Sequence, residues 1–307
     1  MNPTHEIKQV SDYNKLRNVT TVHPLVSVID FATLKSAIPP APREGIEQLR
    51  FNCYALFLKQ SADCELRYGR RPYDFQEGTL VFLAPGQCVE VSSTRLGQRP
   101  PAGYALLFHP DLFAGLAFAE EIFDYPFFSY EIAEGLHISE KERQIIVDCL
   151  YKIGREAAEN QDAHSRRLIV SNIQLLLNYC QRYYSRQFHT RFRENQDVIV
   201  RFERLLLDYF QSNRAAEQGL PSVSFFAKEL HLSPNYFGDL VSQHLGKSPR
   251  ELIQAKTLEQ AKVKLLQPGQ SISEVAYDLG FKQPQHFTRF IKQHLGMTPS
   301  EFQKNLD

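Results

Sequence analysis

The last third of the chain contains an internal repeat. The segment Phe226–Leu232 (FAKELHL) aligns with Val275–Phe281 (VAYDLGF) at an offset of 49 residues, and one extra residue in the second copy raises the offset to 50. Three further features then match: Phe237 with Phe287, His244-Leu245-Gly246 with His294-Leu295-Gly296, and Pro249 with Pro299. Helices can share an apolar period by chance, but shared glycine and proline positions indicate two copies of one structural unit.

Each copy has the pattern of a helix-turn-helix unit, over about residues 224–245 and 273–295. The first helix of each copy carries a small central residue, Ala227 or Ala276, which lets a second helix cross closely. Capping residues set the helix ends, since serines precede helix starts and glycines follow helix ends. The predicted helices cover about residues 224–231, 235–244, 249–267, 273–279 and 284–294.

The helix predicted over about residues 249–267 would connect the two units rigidly. About 18 helical residues span about 27 Å, close to the ~34 Å turn of B-DNA. Two recognition helices could therefore enter successive major grooves on one face of the duplex. Its lysines could contact phosphates or could form an ordinary solvated face; they are Lys256, Lys262 and Lys264.

These motifs resemble the signature of AraC/XylS-type transcription regulators over about residues 198–307. The segments that carry the resemblance are Phe226–Leu232, Ser233–Phe237, Ser271–Ala276, Leu279–Phe281 and Phe290–Phe302. The resemblance implies a DNA-binding domain with two helix-turn-helix units. It also implies a cupin-like β-barrel with dimerisation helices in the N-terminal half, a small-molecule effector and a homodimer. If the chain activates transcription, RNA polymerase is a further expected partner.

The second unit offers the clearer set of candidate DNA-reading residues. Bases are read by side chains near the start of a recognition helix, and Gln can pair with adenine and Arg with guanine. The candidates here are Gln285, His286 and Arg289, flanked by Lys282 and Lys292, and no acidic residue lies between Lys282 and His294.

In the first unit the candidates are Asn235, Tyr236 and Asp239. Asn235 could read adenine, but Gly238 offers no side chain. Asp239 is repelled by phosphate unless it accepts from a cytosine amino group, and it could equally face solvent or an intramolecular partner. Tyr236 could stack on the DNA backbone or pack inside the domain, and packing is favoured.

The N-terminal half contains several short apolar segments, separated by turns, that predict strands of a sandwich or small barrel. They are residues 51–59, 64–68, 78–84, 89–91 and 104–108. Helices follow, one after the capping box of Ser139 and Glu142 and one over about residues 164–184. We therefore expect an α+β chain with a barrel-and-helix domain over residues 1–190 and an all-α domain over 191–307. The boundary is placed in the polar stretch 189–196.

The long helix carries apolar residues at steps of 4, 3, 4 and 3, namely Ile169, Ile173, Leu176, Cys180 and Tyr183. This spacing is typical of a coiled-coil seam, but two heptads also fit a helix packed on its own domain. A dimerisation seam and an internal packing face therefore remain alternatives. The polar segment from Met1 to about Pro24 is expected to form an arm that could contact either domain.

Neither a catalytic motif nor a cluster of metal ligands is visible, so we expect no enzyme, no metal and no cofactor. The alternative is a cupin-type enzyme or sugar-binding module with an accessory DNA-binding domain. Five cysteines without a Cys-x-x-Cys pair are typical of a reducing, cytoplasmic compartment. The sequence predicts no membrane span and no export signal.

The net charge is zero, with 35 basic and 35 acidic residues. Residues 191–307 hold 15 basic and 13 acidic side chains, so even the predicted DNA-binding domain is only slightly basic. A polybasic DNA coater is excluded, because such proteins carry a large positive excess. We expect weak binding away from specific sites, with the second unit supplying most of the positive charge.

Overall fold

The computed structural model describes residues 4–34, 46–59, 66–67, 78–92, 102–159, 162–190, 192–212, 214–267 and 269–304. The chain divides into two compact units, Met1–Gln187 and Phe188–Asp307. The polar stretch 189–196 lies in helices on both sides of Arg191, which is outside the described residues. A polar composition therefore does not mark a break in secondary structure here.

The first unit contains two open sheets. Its strands are β1 (Thr4–Ile7), β2 (Val26–Asp30), β3 (Ile46–Phe51), β4 (Tyr54–Lys59), β5 (Leu66–Arg67), β6 (Thr79–Leu83), β7 (Cys88–Ser92), β8 (Gly103–Phe108) and β9 (Leu136–His137). The orders are β1-β3-β7-β5 and β2-β8-β4-β6-β9. The predicted α+β class is confirmed. Neither sheet closes on itself within the described residues, so the predicted cupin-like barrel is not confirmed.

The five-stranded sheet is covered on both faces. Every residue of β4 and β6 is buried, which explains why these segments appear in the sequence as continuous apolar runs rather than alternating ones. One face shares a core with the four-stranded sheet, through residues such as Phe51 and Phe57. On the other face the ring of Phe82 lies 4.4 Å from that of Phe127.

The N-terminal segment, predicted as an arm that could contact either domain, packs within the first unit. Strand β1 pairs in parallel with β3, and helix α1 (Val10–Leu16) follows it. Val10 and Tyr13 are buried in the core that the two sheets share, and the Tyr13 ring lies 5.8 Å from Phe51. Asn14 is buried as well, and its side-chain carbonyl accepts a hydrogen bond from the Ser27 hydroxyl at 2.9 Å.

The remaining helices of the first unit are α2 (Phe118–Glu121), α3 (Glu140–Ala158) and α4 (Ser165–Thr190), whose last residues belong to the second unit. The capping box of Ser139 and Glu142 at the start of α3 is present as predicted. No helix in the described part of the chain is long and apolar enough to cross a membrane.

The five residues of the predicted dimerisation seam on α4 are buried in the single chain, which favours the alternative of an internal packing face. All five of its residues are at most 6% exposed in the single chain: Ile169, Ile173, Leu176, Cys180 and Tyr183. Their burial does not require a second chain, which favours the packing alternative. A 4-3 spacing also fits a helix packed on its own domain.

The second unit is helical throughout its described residues. Its helices are α5 (Phe192–Gln211), α6 (Arg214–Gln218), α7 (Val223–Leu230), α8 (Pro234–Leu245), α9 (Pro249–Leu265), α10 (Ile272–Asp278), α11 (Pro284–Leu295) and α12 (Pro299–Lys304). The helices α7 to α11 begin and end within two residues of the positions expected from their capping residues. The Phe202 ring of α5 packs 5.2 Å from Phe226 and 5.1 Å from Phe237, so α5 supports the first helix pair.

The turns of the two helix pairs share one backbone conformation. His231 after α7 and Gly280 after α10 both adopt positive φ, 61° and 88°. Gly280 lies directly against another backbone segment, because a Cβ atom there would lie 2.4 Å from the Gly219 carbonyl carbon and 2.6 Å from the Ala215 oxygen. Only glycine fits both this conformation and this contact.

We expect Gly280→Ala to destabilise the second unit more than Gly246→Ala. Gly246 also has positive φ, 66°, but a Cβ there would meet no atom within 4 Å. Gly246→Ala should lose about 1 kcal/mol, the usual cost of a non-glycine residue in this conformation. Gly280→Ala should lose at least about 2 kcal/mol, because the methyl group must also displace backbone. Urea unfolding measures both, and equal losses would contradict the close contact.

We expect His231→Gly to stabilise the chain by about 0.5–1 kcal/mol. Glycine removes the cost of positive φ at His231 but adds some backbone entropy to the unfolded state. His231 is exposed, so the substitution leaves no cavity. The midpoint of thermal unfolding should rise, and a fall would show that the imidazole makes a stabilising contact.

Candidate nucleic-acid interface

Helix α11 presents its predicted reading residues on one exposed face. Gln285, His286 and Arg289 are all exposed, while Phe287 and Ile291 are buried on the opposite side. The sequence dictates this arrangement, because apolar residues recur at helical spacing and turn the intervening polar ones outward. Pro284 occupies the first position of the helix, where its missing N–H is not needed.

Lysines lie at both ends of this face. Lys282 precedes α11 and Lys292 lies in its last turn, and both are exposed. Within the described residues Lys282, Gln285 and Arg289 have no hydrogen-bond or ion-pair partner. They are therefore available to a ligand, and their charge and donor groups suit phosphates and base edges.

Lys292 lies near Glu301 at the start of α12. Hydrogen bonds from the backbone N–H and hydroxyl of Thr298 lower the pKa of Glu301, and the charge of Lys292 lowers it further. The carboxylate caps α12 by accepting the Thr298 backbone N–H at 2.7 Å. Lys292 itself stays exposed at the edge of the reading face.

Helix α8 presents a less charged face. Asn235 is exposed and Asp239 is partly exposed. A Cβ atom at Gly238 would meet nothing within 4 Å, so packing inside the chain does not require glycine there. A bare backbone on an open helix face allows another molecule to approach closely.

Tyr236 packs inside the second unit. It is 7% exposed, and its ring lies 5.0 Å from that of Phe188. Of the two predicted alternatives, packing inside the domain fits the Tyr236 ring better than stacking on DNA. Phe188 was not among the predicted site residues, because the predicted DNA-binding domain began after it. The spacing of four residues between Tyr184 and Phe188 continues an apolar stripe on α4.

The connecting helix α9 holds two of its three candidate phosphate-binding lysines in ion pairs. The Lys256 ammonium lies 2.8 Å from Glu259, and the Lys264 ammonium lies 2.9 Å from Asp278. Lys262 has no such partner among the described residues. With 17 residues α9 spans about 25 Å, which still suits successive grooves of B-DNA.

Among the described residues, no group of three or more His, Cys, Asp or Glu side chains is placed to hold a metal ion. The cysteines that the structure describes are free, and burial raises the pKa of the Cys53 thiol to about 12. A thiol with so high a pKa is a poor nucleophile at neutral pH.

Residues 226–305 match the family model HTH_18, a helix-turn-helix domain. The transcriptional regulatory protein YesN of Bacillus subtilis is 32% identical over 112 residues, which cover 35% of this chain and 28% of YesN. The raffinose operon regulator RafR of Pediococcus pentosaceus is 28% identical over 102 residues, 33% of this chain and 36% of RafR. The chain thus spans about a third of the length of these curated relatives.

Among solved structures, the C-terminal domain of the response regulator AraT of Geobacillus stearothermophilus is 22% identical. The match covers 35% of this chain and 84% of that one, with a TM-score of 0.32. A TM-score this low carries no argument about the fold. Residues 226–305, which the family model matches, include α8, α9, α10 and α11. The C-terminal part of the chain is therefore a helix-turn-helix domain of the AraC/XylS type.

Proposed function

We propose that the chain is a sequence-specific transcriptional regulator whose helices α8 and α11 enter successive major grooves of DNA. One observation carries this proposal: the exposed face of α11 holds Gln285 and Arg289 between Lys282 and Lys292, and neither has a hydrogen-bond or ion-pair partner among the described residues. Amide and guanidinium groups at the start of a helix are the usual readers of base edges. The helix-turn-helix domain supports DNA as the partner.

We propose that the two helix-turn-helix pairs, α7–α8 and α10–α11, contribute unequally to DNA recognition. The face of α11 combines two base-reading side chains with positive charge, whereas α8 offers Asn235 beside the bare backbone of Gly238 and the acidic Asp239. Phosphate repels a carboxylate, so α8 gains less from the electrostatic attraction that dominates non-specific binding. Sequence preference should therefore be strongest at the base pairs that α11 contacts.

The first unit is proposed to regulate DNA binding. By analogy with AraC/XylS-type regulators, the first unit would bind a small effector molecule. Such an effector can control DNA binding only if it favours one of two conformational states of the chain. We also propose a homodimer, with RNA polymerase as a partner if the chain activates transcription. Since the predicted seam is buried, a dimer would use other residues of α4, where Leu168 and Leu175 are exposed one heptad apart.

We expect Arg289→Ala to cost about 1–3 kcal/mol of specific binding, because a bidentate contact to guanine is lost. The measurement is a gel shift with duplexes that the wild-type chain selects from a random 30-bp pool. Arg204→Ala is the control, since its exposed side chain belongs to α5 and lies 4.0 Å from Asp208. Wild-type affinity in Arg289→Ala would remove this residue from the interface.

We expect Lys292→Ala to weaken binding to every sequence alike. Removing one phosphate contact should lower the slope of log affinity against log salt by about 1. Lys256→Ala should leave the slope unchanged, because Glu259 already neutralises that ammonium. A loss confined to one base pair would instead show that Lys292 reads a base.

A further inference from the structure

Phe188 belongs to the second unit although it precedes the domain found by sequence. The family match begins at residue 226, and the predicted domain began at 191, whereas the compact unit begins at Phe188 itself. The side chain is 1% exposed, and its ring is tilted by 52° against that of Tyr236. A residue outside the recognised domain thus packs on the first turn of its first reading helix.

The contacts that hold this turn of α8 include an N-cap hydrogen bond and a ring contact. The backbone N–H of Tyr236 donates to the Ser233 hydroxyl at 3.2 Å, which is the N-cap bond of the helix. The Tyr236 ring is held by Phe188. Asn235 is the neighbouring residue in the same turn and faces solvent, so a shift of Tyr236 moves Asn235 as well.

The second helix pair, α10 and α11, lacks this arrangement among the described residues. At the repeat offset of 50, Asn235 corresponds to Gln285 and Tyr236 corresponds to His286. His286 is exposed, and the N-cap residue Gln283 makes no side-chain bond to the helix. The buried ring contact is therefore a feature of α8 and not of the shared helix-turn-helix design.

We infer that Phe188 is a positioning residue for the first reading helix. It holds Tyr236, and thereby keeps the Asn235 amide directed at base edges. The inference rests on the proposed DNA-binding function and adds a residue to the machinery of specificity. Because protein interiors are close-packed, removing the ring leaves Tyr236 free to shift into the space.

The test measures base preference rather than affinity alone. Full-length chains carrying Phe188→Ala, Phe188→Leu, Asn235→Ala or Arg289→Ala are assayed on the duplex selected by the wild type, with each base pair varied in turn. His189→Ala, a change at the exposed next residue, is the matched control. Lower overall stability reduces the active fraction but leaves the pattern of base preference unchanged, so this readout separates positioning from folding.

Phe188→Ala should weaken binding about tenfold, the size of one lost base contact. It should flatten preference at the base pairs that Asn235→Ala flattens and spare those that Arg289→Ala flattens. Phe188→Leu should restore most of the preference, and His189→Ala should match the wild type.

Three results would overturn the inference: an unchanged preference pattern in Phe188→Ala at any affinity, flattening that extends to the Arg289 positions, or no effect of Asn235→Ala on any base pair. Failure of the proposed function is distinct, because the wild-type chain would then select no sequence from the pool, and the inference would fall with it.

Discussion

The packing of the second unit includes a backbone-to-backbone contact at Gly280 that leaves no room for a side chain. The turn after α10 lies against the segment around Gly219, so closely that a methyl group has no room. The Gly219 carbonyl in turn accepts a hydrogen bond from the Tyr209 hydroxyl of α5 at 3.0 Å. The Tyr209 ring packs 6.1 Å from Phe226 of the first helix pair. This chain of contacts connects the second turn to the core of the first pair, and the placement of both reading helices depends on it.

The helical half was largely predictable because its information is local. Serine caps, glycine stops and a central alanine act within one or two turns of helix, so residues that are close in sequence determine where each helix starts and ends. The repeat added what residue type alone could not provide. His231 is an unusual residue for positive φ, yet its alignment with Gly280 predicts the same turn. The exposed face of α11 was predictable from apolar periodicity, because that pattern is also local in sequence.

Local patterns leave open the contacts between distant parts of the chain. Periodicity shows that one face of α4 is apolar but does not say what covers it, and Ile173 and Leu176 are fully buried in the single chain. Strand propensity likewise does not determine whether sheets close; the described strands form two open sheets, and the predicted barrel is not confirmed. The polar N-terminus suggested an arm that could contact either domain, because polar residues surround Val10 and Tyr13, the two side chains that anchor α1 in the core. Long-range pairing of this kind leaves little trace in one sequence.

The two helix pairs share a backbone plan and differ in the chemistry of their reading faces. A rigid α9 of 17 residues fixes the separation of these faces. The proposed binding mode therefore requires α8 and α11 to reach the same side of the duplex. Hydroxyl-radical footprinting of the full chain on its selected duplex tests this most directly. Two protected patches, centred about one helical turn, or 10 bp, apart on one face, are the predicted result. A single patch, or two patches on opposite faces, would contradict it.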